Sequence, residues 1–329
     1  MTLARYHLAK FDYCQALNDC EMSENRCQSG SIKLASIHEC FGDIFYEMGQ
    51  LDKAISYYRS SIDIVLKFSA QSKPLLSRLY QSIARVCVDK RQLREALQNL
   101  EQGLKLAPEN SIIMAQLHQT KAGVSIKLKQ FESAEEHLNQ AKILFSKLSS
   151  DENIHIANDL RIRGRLNFHK GKFDIALQNL TEALVILEKE LPKYHSITSE
   201  TYIDIGRIYE KLNKMDEALE MFEKVKTTLH ERLNNTEQTL DSAETSLSKC
   251  CSILCTIYDA LANIHTKRRN FNQAHVEIKN GSLLRQKFCP NDLPLSNFNL
   301  ANVYTQENRT KEAIDLLDGI TDNFFFFCI

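Results

Sequence analysis

The sequence predicts an all-α fold, a solenoid of about eight stacked antiparallel helix pairs. Three observations carry this: scarce Gly and Pro, a recurring Ala-centred phrase, and a second small residue at a constant distance before it. Gly numbers 10 and Pro only 5 of 329 residues, so tight turns and left-handed backbone positions are expected to be few. A β-sandwich or barrel needs turn signals at short, regular intervals and is excluded on that ground.

The phrase is an apolar residue, two mostly polar residues, then Ala. It reads Leu51-Asp52-Lys53-Ala54, Leu93-Arg94-Glu95-Ala96, Phe131-Glu132-Ser133-Ala134, Phe173-Asp174-Ile175-Ala176, Met215-Asp216-Glu217-Ala218 and Phe271-Asn272-Gln273-Ala274. Weaker copies end at Ala16 and Ala313, and the Ala spacings are 38, 42, 38, 42, 42, 56 and 39. Twelve places before each Ala from Ala54 onward stands Gly42, Ala84, Ala122, Gly164, Gly206, Ala262 or Ala301. Four places after it, on the same helical face, comes Tyr58, Leu100, Leu138, Leu180, Phe222, Ile278 or Leu317. Small residues let two antiparallel helices approach, and the large ones fill the gap to the next pair. No single pair buries both of its faces, so the pairs must stack.

The copies delimit one array over residues 1–322, with a partial first unit at 1–27. Further units follow at about 31–68, 75–108, 111–148, 153–190, 196–233, 238–287 and 292–322. The 56-residue spacing holds extra residues between Lys226 and Cys250, and Thr236 to Glu244 reads as helix. Residues 323–329 read as an irregular hydrophobic tail, with four consecutive Phe where a polar capping helix is expected. The chain also opens inside a first helix, and both features favour a fragment or an imperfect gene model.

These phased copies resemble the tetratricopeptide repeat superfamily over nearly the whole chain. Pro108 matches the family's inter-repeat Pro in one unit, while Trp is absent and His38, Tyr80, Tyr202 and Tyr258 stand in its place. The family period is about 34. The longer, roughly 42-residue units, with Leu187-Glu188-Lys189-Glu190-Leu191 and His195-Ser196-Ile197-Thr198, are similar to the kinesin light chain type. The resemblance implies a right-handed superhelix whose first helices line a concave groove.

No residue pattern supports catalysis. There is no phosphate-binding loop, no G-x-S-x-G and no H-E-x-x-H. The ten His are scattered one per helix or turn. Cys250, Cys251 and Cys255 lack a second ligand pair and read as buried thiols. Asn234 and Asn308 match the glycosylation acceptor pattern by chance. No cofactor, metal or small-molecule substrate is expected. With 41 Lys+Arg against 42 Asp+Glu, net charge −1, there is no basic stripe for nucleic acid. No leader or spanning segment is legible, so membrane partners are not expected and a cytoplasmic location is.

What remains is the groove. By the resemblance, the residue after each small position faces it: Asp43, Arg85, Gly123, Arg165, Arg207, Asn263 and Asn302. Arg78, Gln81, Gln119, Asn158 and Arg161 lie on the same side. Forked guanidinium donors match carboxylate or phosphate, and Asn amides suit an extended peptide backbone. The expected function is a non-enzymatic adaptor holding an acidic or phosphorylated peptide segment of a partner protein. The alternative is a recruitment or regulatory arm of a larger enzyme or motor complex.

Overall fold

The computed structural model describes residues 2–9, 12–27, 31–67, 72–147, 153–237, 248–288 and 290–326. Among them are sixteen α-helices. The first ten are α1 Thr2–Ala9, α2 Tyr13–Asn25, α3 Ile32–Glu47, α4 Leu51–Leu66, α5 Lys73–Asp89, α6 Leu93–Leu106, α7 Ile112–Lys127, α8 Phe131–Lys147, α9 Asn153–His169 and α10 Phe173–Glu190. They belong to one compact unit, Met1–Pro192. The second unit, Lys193–Ile329, holds α11 Ser196–Lys211, α12 Met215–Glu237, α13 Ser248–Lys267, α14 Phe271–Phe288, α15 Leu293–Gln306 and α16 Thr310–Phe326. A 3₁₀ turn, Pro290–Asp292, precedes α15.

Within each unit successive helices pair antiparallel and the pairs stack, which is the α-solenoid the repeat predicts. Most of the stretch from Thr236 to Glu244, expected as helix, lies outside the described residues, although α12 runs to Glu237. Residues 323–326, expected as irregular tail, instead continue α16 to Phe326.

The small-to-large matching predicted from the spacing is the packing observed. Ala16, Ala54, Ala96, Ala134, Ala176, Ala218 and Ala274 are all fully buried. A Cβ on Gly42 would lie 2.4 Å from the Tyr58 ring, one on Gly164 2.6 Å from Leu180, and one on Gly206 2.7 Å from Phe222. At these three pairs only glycine admits the helices so closely. Each of the three large partners is buried and contributes about 1.5–3 kcal/mol.

The turns inside the pairs correct one expectation. Seven of them carry a residue with positive φ two places before the second helix: Gly49, Arg91, Lys129, Gly171, Asn213, Arg269 and Asn308. Five are not glycine, so scarce Gly does not mean few left-handed positions. The next residue's N–H then donates to a carbonyl five places back, as in Gln50 to Phe45 and Gln92 to Cys87, both 2.8 Å. This bond satisfies an orphan carbonyl at the helix end and fixes the reversal.

Candidate functional groove

In unit 1 the first helices α3, α5, α7 and α9 touch in sequence, and no two second helices make contacts of comparable extent. The first-helix side is therefore the inner face of this unit. Side chains cross it in rungs that each join residues 39 apart, whatever the local repeat length. Arg78 on α5 donates through Nε and Nη2 to the two oxygens of Glu39 on α3, at 3.2 and 3.3 Å. Gln81 donates to Thr120 at 3.0 Å, and Asn158 to Gln119 Oε1 at 3.0 Å. The Arg85 guanidinium lies over the Tyr46 ring, 4.8 Å from its centroid.

These rungs sort the predicted groove residues. Arg78 is half-buried and clamped on Glu39, which also receives Arg5 at 3.3 Å. Gln119 is buried, its amide bridging from Asn158 to the His155 carbonyl at 3.1 Å. Arg161 is buried and donates to Asn158 Oδ1 at 3.3 Å. Gln81 and Arg165 are half-buried, and Arg85 is exposed. In unit 2, Arg207 is exposed with its Nη1 3.9 Å from Asp204. Asn263 is exposed and donates to Glu210 at 2.5 Å, and Asn302 is exposed.

Arg85 is exposed as a residue, while burial desolvates its guanidinium, which feels Tyr46, Tyr58, Glu47 and Asp43 around it. Gly123, one repeat further on, has no atom within 4 Å of where a Cβ would stand. On the other side lies Asp43, which accepts the Tyr58 hydroxyl at 2.7 Å. Burial pushes the Asp43 carboxyl up to about 6, the Tyr58 bond opposes this, and the Glu39 charge adds to it. Burial raises the Tyr58 hydroxyl well above its ordinary range, with Asp43 reinforcing it.

Sequence reading misses the partners: Tyr46 under Arg85, Thr120 beside Gln81, and the His155 carbonyl. For Tyr46 and Thr120 the signal is present as the 39-residue offset, whereas the His155 carbonyl lies 36 residues from Gln119. It also treats the histidines as scattered, whereas His118 and His137 meet across α7 and α8 with Nδ1 atoms 3.1 Å apart. The cysteines behave as expected. Cys250, Cys251 and Cys255 are buried, and burial pushes the Cys250 thiol up to about 11. Among the described residues no group of three His, Cys, Asp or Glu is placed to hold a metal. No helix there is long and apolar enough to cross a membrane.

The family model for the tetratricopeptide repeat matches residues 33–109 and 157–227. Over both stretches the chain carries tetratricopeptide repeats. Its repeats are similar to those of kinesin light chains. A kinesin light chain-related protein of Arabidopsis thaliana is 23% identical over 260 residues, which is 75% of this chain and 38% of that protein. The chain thus spans well under half of that relative. Among solved structures, BtubC (BKLC) from P. vanneervenii superposes with TM-score 0.51 and 15% identity, covering 78% of this chain and 91% of that one. A Rap protein in complex with competence and sporulation factor gives 0.63 at 15% identity, covering 94% and 79%. The apo quorum sensor NprR from B. thuringiensis gives 0.61 at 14%, covering 97% and 84%. At these identities the structures testify to the fold. Tetratricopeptide repeat proteins as a class mediate protein–protein interaction.

Proposed function

We propose that the chain is a non-enzymatic adaptor whose first-helix face in unit 1 takes an acidic or phosphorylated segment of a partner protein. The observation that carries this is Arg85: an exposed residue whose guanidinium lies over the Tyr46 ring, with open space at Gly123 on the following first helix. A carboxylate or phosphate entering there meets a forked donor already oriented by stacking. The balanced net charge of −1 supports a protein partner over nucleic acid or membrane, and a cytoplasmic setting accords with it. Because the chain covers 38% of its kinesin light chain-related relative, a second reading is a recruitment arm of a larger complex. Both readings use the same face.

The test is Arg85→Glu, followed by Arg85→Glu with Arg165→Glu and Arg207→Glu, measured by fluorescence polarisation against a library of acidic and phosphorylated peptides. Far-UV circular dichroism stays unchanged while binding falls at least about tenfold and weakens with added salt. Unchanged binding in the triple variant refutes the arginine reading. Arg207 lies in unit 2, so its separate variant reports whether that unit contributes.

A further inference from the structure

Cys20 on α2 and Cys40 on α3 are both fully buried, in one apolar cluster with Ile37, Phe41 and Ile44. Their thiols meet, with the Cys20 S–H donating to the Cys40 sulfur. The repeat itself builds this contact. Cys20 stands four places past Ala16, and Cys40 two places before Gly42. At the same register Tyr58 on α4 hydrogen-bonds Ser82 on α5, and Leu138 on α8 shares an apolar cluster with Ile162 on α9. These positions put two side chains face to face where a second helix meets the next first helix. Between α2 and α3 both of them are thiols.

The two thiols are not equivalent. The contact with Cys20 holds the Cys40 thiol below its ordinary range, while burial and Asp43 oppose this and Arg5 assists. The same contact, followed by burial, pushes the Cys20 thiol up, and Asp19 adds to it. Cys40 is therefore the nucleophile of the pair and Cys20 the resolving thiol.

We propose that Cys20 and Cys40 form a redox-active dithiol that a peroxide converts to a disulfide, locking α2 to α3. The Cys40 thiolate attacks one peroxide oxygen. The S–O bond forms, the O–O bond breaks, and the departing hydroxide takes up the Cys40 proton as water. The Cys20 sulfur then attacks the Cys40 sulfenic acid. The S–S bond forms, the S–O bond breaks, and the leaving hydroxide takes up the Cys20 proton as a second water. Two thiols lose two electrons, and one peroxide gains them. Full burial admits peroxide only through local opening, so the pair answers sustained oxidation rather than a brief pulse. Once formed, the bond is shielded from thiol exchange in the same way. The locked helix α3 is the one that carries Glu39 and Asp43 on the groove side.

The test treats the reduced full-length chain with hydrogen peroxide, blocks the remaining thiols with N-ethylmaleimide, and maps peptides by mass spectrometry. A Cys20–Cys40 peptide lighter by two hydrogens is expected, in at least about tenfold excess over bonds from either thiol to Cys14 or Cys27. Oxidation in urea spreads the bonds over these cysteines instead. Amide exchange within α2 slows at least about tenfold in the oxidised chain and recovers with dithiothreitol. In Cys20→Ser the Cys40 sulfenic acid accumulates and is captured by dimedone, whereas Cys40→Ser yields no such adduct at Cys20. The linked peptide and the exchange rates come from the unmodified chain, so they decide the matter even if a serine variant folds poorly. The proposal is overturned if the native chain gives no Cys20–Cys40 peptide, or gives it no more selectively than the chain in urea. Unchanged α2 exchange in the oxidised chain overturns the lock, and a dimedone adduct on Cys20 rather than Cys40 overturns the assigned order of attack.

Discussion

Replacing Gly42 by alanine places a Cβ 2.4 Å from Tyr58 Cε1, 2.6 Å from Cδ1 and 2.9 Å from Cζ. The ring cannot swing aside freely, because it is 1% exposed and its hydroxyl is bonded to Asp43 at 2.7 Å. Overpacking of this kind costs about 1–3 kcal/mol, and losing the hydroxyl bond adds about 0.5–1.5 kcal/mol. Alanine recovers about 1 kcal/mol of helix propensity. The net is a destabilisation of about 1–3 kcal/mol. Gly123→Ala in the same unit is the control, because its Cβ meets nothing within 4 Å. There only propensity acts, and the variant gains about 0.5–1 kcal/mol. Urea unfolding followed by far-UV circular dichroism reads both, with the midpoints compared at constant m-value. A Gly42→Ala variant as stable as the parent, or a destabilised Gly123→Ala, refutes the assignment of close contact to one glycine and groove opening to the other.

Arg91, Lys129 and Arg269 hold φ near 60° without being glycine. A left-handed L-residue costs about 1–2 kcal/mol, and the extra chain entropy of glycine offsets about 0.5–1 kcal/mol of the relief. Each change to Gly therefore raises stability by about 0.5–1 kcal/mol, and the distant sites add in thermal melts. The His118–His137 pair predicts acid sensitivity. Burial pushes His118 down to about 4, with His137 and Lys121 adding and Glu136 opposing, and burial lowers His137 as well. Both histidines take up protons more readily unfolded, so their contribution is complete above about pH 6.5 and is lost as pH falls toward 4. For His118 the loss is at most about 3 kcal/mol. Asp43, pushed up to about 6, acts with the opposite sign: its contribution is complete below about pH 3.8 and is lost as pH rises through 6. Comparing His118→Gln with the parent across about pH 4–7 cancels that effect, and a parent curve as flat as the variant's refutes the pair's role.

The fold was legible because the repeat is a packing rule written in residue size. Gly42 with Tyr58 and Gly206 with Phe222 are twelve-plus-four spacings, and size complementarity is local to a helix pair. The groove was legible only as positions. Whether Arg78 presents donors to a ligand depends on Glu39, 39 residues away on the preceding first helix, and that offset matches neither the 38- nor the 42-residue spacing of the Ala phrase. Left-handed turns were hidden for another reason. The bond that closes each turn and the stacked helices supply enough energy for Arg, Lys or Asn to hold a conformation that composition alone assigns to glycine.

The rungs also set what a ligand must do to bind. Arg78 is held bidentate by a buried carboxylate, and pulling it away would strand Glu39, which is 5% exposed, on Arg5 alone. Gln119 and Arg161 are likewise buried in bonds to neighbours. A peptide on this face therefore gains little from those groups, because each new bond replaces one already made. Arg85 differs: its guanidinium lies over the Tyr46 ring beside Glu47 and Asp43, and its forked donors match an incoming anion. Asp43 competes there alongside Glu47, and the Asp43 charge weakens as pH falls through about 6. An acidic segment consequently binds more tightly at about pH 5.5 than at about pH 7.5 as long as its own carboxylates stay ionised, and Asp43→Asn abolishes that difference.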